Sequence, residues 1–134
     1  MAGQSSSSRR GLQRTLAVLA AIPMVSAIGE IVRGAQGVPG GSPDVLPTVD
    51  SSLRYANVFK LAVGPAMWSQ LGRVEQSSTV AFALSTIFVG GLARVRSWQQ
   101  RGRPHPITVS AIALETVGVA GLLVWQRRVA TNAV

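Results

Sequence analysis

A chain of 134 residues has room for one core rather than two. Thirteen Lys+Arg against five Asp+Glu give a net charge of +8, yet only 13% of residues are charged and 47% are hydrophobic. That is about half the ~25% charge of a soluble domain. With no cysteine and a single histidine, His105, the sequence leaves no disulfide scaffold, thiolate metal site, iron–sulfur cluster, bis-histidine haem or ordinary zinc centre. No cofactor is expected.

In chain order, residues 1–11 are rich in Ser and Arg and are expected to be a disordered tail. Residues 12–128 then form one domain with four apolar spans, at about 14–33, 53–72, 77–96 and 107–126. Each approaches the ~20 residues that a helix rising ~1.5 Å per residue needs to cross hydrocarbon. Residues 34–52, with three prolines and four glycines, make the one long loop. The short stretch 73–76 predicts a hairpin that sets the second and third helices antiparallel. Pro104 and Pro106 prepare the start of the fourth helix. Residues 129–134 are expected to be a short tail. No span alternates with period two, so a membrane barrel is excluded. The expected fold is all-α: a polytopic membrane protein built as an up-down four-helix transmembrane bundle.

Val25-Ser26-Ala27 after an apolar stretch resembles a signal-peptide cleavage site, but three more spans follow it, and a retained first helix is expected. Twelve of the thirteen basic residues are Arg, clustered between apolar runs. This pattern suits headgroup anchors better than a phosphate-tracking stripe, so no nucleic acid is expected. With the N-terminus inside, Arg9, Arg10, Arg14, Arg73, Arg127 and Arg128 face the cytoplasm, against Arg33, Arg54, Arg94, Arg96, Arg101 and Arg103 outside. Setting Arg54 and Arg94 aside as bundle residues tips both termini toward the cytoplasm of a bacterial inner membrane. Trp68, Trp98, Trp125 and Tyr55 lie near span ends and read as interfacial anchors.

A charge at mid-bilayer costs about 2.5–3.5 kcal/mol even on lenient scales. Lys60 lies seven residues past Leu53 and Glu115 eight past Ile107, ~10 and ~12 Å into their spans by helical rise. Up-down threading puts both, with Glu30, Arg54 and Arg94, in one half of the bilayer. One polar cluster between helices is therefore expected, with Glu115 paired to Lys60 or Arg94 and Glu30 to Arg54 or Arg33. Small residues on the charged faces, including Gly64, Gly90, Gly91 and Gly118, let backbones approach. The cluster reads first as structural ion pairs, and alternatively as a proton relay through Glu115.

Catalysis has little to stand on. His105 sits between two prolines, Asp44 and Asp50 lie in a Gly/Pro loop, and no phosphate-loop or dinucleotide motif occurs. No enzyme is expected.

Four short patterns carry a resemblance. Leu53-Arg54-Tyr55 opens the second helix, and Gly90-Gly91-Leu92-Ala93-Arg94 with Ser97 closes the third. Gly102-Arg103-Pro104 follows, and Leu114-Glu115 lies in the fourth helix. Over roughly residues 12–126 the chain resembles the small bacterial membrane proteins of domain of unknown function 4345. The resemblance implies a four-helix membrane bundle with no established activity, and carries over Arg54, Arg94 and Glu115. Asn57 and Lys60 depart from the Gly and apolar residue of that pattern. Heavy use of Ala, Gly, Val and Arg points to a GC-rich, actinobacterial genome.

Four short helices enclose little space. The expected role is therefore a small accessory or structural subunit of a larger membrane transport complex, with lipid and another integral membrane protein, or further copies of itself, as partners. The alternative is a small proton-coupled transporter of a solute or lipid that uses Glu115.

Overall fold

The computed structural model describes residues 2–132 and is helical almost throughout, with no strand among them. Four helices follow one another: α1 (Ala2–Arg33), α2 (Pro47–Trp68), α3 (Ser78–Arg101) and α4 (Pro106–Thr131). Short 3-10 turns at Gly34–Gly37 and Leu71–Arg73 sit in the first two connections. Helices adjacent in sequence are adjacent in space, and α4 closes the ring against α1. This is the expected all-α, up-down four-helix bundle.

Local chemistry sets the boundaries. Pro47 and Pro106 occupy first-turn positions, where a missing N–H costs nothing. Ser77 caps α3 by accepting a hydrogen bond from the Val80 N–H at 3.2 Å. Gly102, at φ +90°, ends α3 in a conformation that other residues seldom adopt. Pro23 and Pro65 lie inside α1 and α2.

The core fills the half of the bundle nearest the chain start. Leu12, Leu16, Met67, Val74, Val80, Leu84 and Val119 are fully buried there. The outside is apolar as well: Val18, Phe82 and Val117 are 68%, 76% and 77% exposed. Such an outer surface suits hydrocarbon rather than water.

Three segments, Ser6–Gly37, Ser78–Arg101 and Pro106–Thr131, are long and apolar enough to cross a membrane. The expectation of four such segments is corrected at α2, which carries Arg54, Asn57 and Lys60 and is not among them. The polar side chains of α2 bond within the bundle, while its outer residues Val58 and Phe59 are apolar and exposed.

Three sets of boundaries also change. The N-terminal stretch expected to be disordered belongs to α1, which begins at Ala2. Polar residues dock it: Arg9 Nε donates to Glu75 Oε2 at 2.9 Å and Arg9 Nη2 to the Gly72 carbonyl at 2.6 Å. Second, α2 runs from Pro47 to Trp68, so it starts and ends earlier than the expected span. Third, α3 runs on to Arg101 and α4 to Thr131, both past their expected ends, the latter through half of the expected C-terminal tail, whose last two residues lie outside the described residues.

Candidate functional site

The charged residues singled out in the sequence, Glu30, Arg54, Lys60, Arg94 and Glu115, lie in the half of the bundle opposite the core. On α1, Ser26 and Glu30 are one turn apart, and the serine hydroxyl donates to Glu30 Oε1 at 2.6 Å. From α2, Lys60 Nζ donates to Ser26 Oγ at 2.7 Å and to Glu30 Oε1 at 2.9 Å. One ammonium proton and one hydroxyl proton thus converge on a carboxylate that is 8% exposed as a residue, and a second ammonium proton holds the serine oxygen. Close approach of the two helices permits this. A Cβ at Gly64, one turn beyond Lys60, would run into Met24 and the Ala20 carbonyl.

Asn57, one turn before Lys60, is only 3% exposed. Its Nδ2 donates to the Leu53 carbonyl at 2.8 Å, while its Oδ1 is buried with no donor.

Across the bundle, Arg94 Nε on α3 lies 3.2 Å from Glu115 Oε2 on α4. The pair is close but not aligned as a hydrogen bond, and that oxygen is buried without a donor. Glu115 occupies a π turn, Leu114–Gly118, where the helix widens by one residue. The turn presents Glu115 and Thr116 to α3, where Gly91 makes room. A Cβ at Gly91 would meet Thr116 Cγ2 at 2.9 Å and Glu115 Cβ at 3.0 Å. Lys60 also lies within electrostatic reach of Glu115.

At the mouth of this half, Arg54 Nε donates to Asp50 Oδ2 at 2.7 Å. Its Nη1 donates to the Ile31 and Val32 carbonyls at 2.6 and 3.1 Å, capping the C-terminal end of α1. Asp50 Oδ1 accepts from the Ala35 N–H at 2.8 Å. The Arg54 hydrogen bond, reinforced by that backbone N–H, holds the Asp50 carboxyl below its ordinary range. At the opposite end, hydrogen bonding from Arg9 likewise lowers Glu75.

The five residues expected to form one cluster, Glu30, Arg54, Lys60, Arg94 and Glu115, do share one half of the molecule. They resolve into separate pairs. Glu115 takes Arg94, one of its two expected partners. Glu30 takes Lys60 rather than Arg54 or Arg33, because Arg54 is held by Asp50 and the α1 carbonyls. Sequence reasoning missed Asp50 and Ser26. Both sit four residues from a charged partner on the same helix, a spacing that would have found them.

The aromatic anchors divide. Tyr55 is exposed and packs edge-on against Phe59, with ring centroids 5.2 Å apart. Trp68 donates to the Ala17 carbonyl and Trp125 to Ser8 Oγ, each at 2.9 Å, so both also fasten their helices to α1. Trp98 is half-buried on α3.

Fold and site together define a small helical bundle, apolar outside and ion-paired within. Residues 11–126 match the family model described as domain of unknown function DUF4345, and the chain belongs to that family. No curated protein and no solved structure matches it.

Proposed function

We propose that this chain is a non-enzymatic, multi-pass inner-membrane protein that serves as an accessory subunit of a larger membrane assembly, with both termini cytoplasmic. The outer faces of α3 and α4 carry this reading. Gly90 on α3 and Gly121 on α4 have no neighbour within 4 Å, leaving backbone open to a partner helix. Around Gly90, the hydroxyls of Ser85 and Thr86 bond their own helix at 2.8 and 2.9 Å and place no unmet demand on a neighbour. Purification in a gentle detergent should bring down a stoichiometric membrane partner or a homo-oligomer, identified by mass spectrometry. A lone monodisperse monomer would overturn the proposal.

A second reading, proton-coupled transport of a solute or lipid, draws support from the Glu115 oxygen that lies buried without a donor in a π turn. Under it, Glu115→Gln abolishes proton uptake in proteoliposomes and leaves assembly intact. Under the accessory reading, the same change loosens assembly instead.

A further inference from the structure

The outer seam between α1 and α4, at the end where the chain begins, gathers guanidiniums that meet no carboxylate among the described residues. Trp125 fixes its register: the indole N–H bonds Ser8, and the ring lies where Gly11 leaves room, 3.3 Å from a Cβ built there. Arg10 and Arg14 flank Gly11, and Arg128 follows Trp125 by one turn; all three are exposed. At ~100° per residue, Arg14 and Arg128 each stand ~60° to the outer side of the seam, from opposite helices. Among the described residues, Arg10 bonds the Ser6 carbonyl, and the acidic side chain at this end, Glu75, is taken by Arg9.

Directly beneath, the surface turns apolar. Val124, one turn before Arg128 on α4, is exposed. The same face of α4 continues through Gly121, with open space around it, to exposed Val117, and exposed Val18 lies on the α1 side.

We propose that this seam binds an anionic phospholipid. Its phosphate sits between Arg14 and Arg128 with Arg10 alongside, and an acyl chain runs along Val18, Gly121 and Val117. Guanidinium forks match phosphate oxygens, and basic sites at helix seams suit anionic headgroups. The apolar track, continuous with the charges, selects a lipid over a free anion. The site rests on the membrane reading; because its acyl track passes Gly121, a lipid held here borders the α4 face that the accessory role offers to a partner helix.

The test is native mass spectrometry of the full chain released from nanodiscs of equal phosphatidylcholine and phosphatidylglycerol. Phosphatidylglycerol should be retained roughly 20-fold over phosphatidylcholine, the order expected for two guanidiniums at an anionic surface. Added inorganic phosphate should not compete. Arg14→Gln with Arg128→Gln should bring the ratio near one, and Lys at both positions should restore much of it. Arg101→Gln with Arg103→Gln, at the opposite end, should leave it unchanged. Retention without headgroup preference, or equal loss in both Gln pairs, overturns the site and leaves the membrane reading standing. Failure of the chain to enter nanodiscs overturns both.

Discussion

At the scale of single residues, Lys60 does most to neutralise the interior, because it is the cation paired with the Glu30 carboxylate. Removing one member of a buried pair strands the other, at a cost of about 3–5 kcal/mol. Lys60→Met should therefore destabilise the bundle by about 3 kcal/mol in detergent unfolding, and adding Glu30→Gln should recover much of the loss. Equal stability of the single and double variants would show that the pair is not coupled. Asp50 gives a pH signature. Its folded pKa lies below its ordinary value, so the stabilisation is complete above the usual carboxylate range and fades as pH falls through the folded value. Protection of the Ala35 amide from exchange, corrected for intrinsic rate, should drop on acidification. Asp50→Asn should begin low and show no such drop.

Between elements, glycine positions decide how close the helices come. Gly91 faces the stiff Thr116 side chain, whose Oγ1 is tied to the Ile112 carbonyl at 2.7 Å, whereas Gly90 beside it faces open space. Gly91→Ala should force α3 from the π turn and cost about 1–3 kcal/mol. Gly90→Ala should be neutral or stabilising by up to about 1 kcal/mol through helix propensity. Thermal unfolding of the two variants side by side separates them, and similar effects would refute the packing argument. Much of this was legible in sequence: apolar runs, Pro104–Pro106 and the depth of the charges located the helices and the polar half. The pairing of Glu115 with Arg94 was among those expected, but the partner of Glu30 was not. Because α2 starts at Pro47 rather than near Leu53, Arg54 meets the end of α1 and Lys60 meets Ser26 and Glu30. The π turn was equally illegible, since what accommodates it lies on another helix, at Gly91.

Over the whole molecule, the two halves do different work. One is held by apolar packing of all four helices, and the other by ion pairs within the α1–α2 and α3–α4 hairpins. The outside is apolar around both. The central claim is that hydrocarbon surrounds this surface while the charges turn inward. The chain contains no cysteine, so single spin labels can be placed one at a time at Phe82, Val89 and Val117 in reconstituted bilayers. Collision rates with lipid-soluble oxygen should be high, and those with a water-soluble nickel chelate low, at all three. The reverse pattern at these positions would contradict that claim.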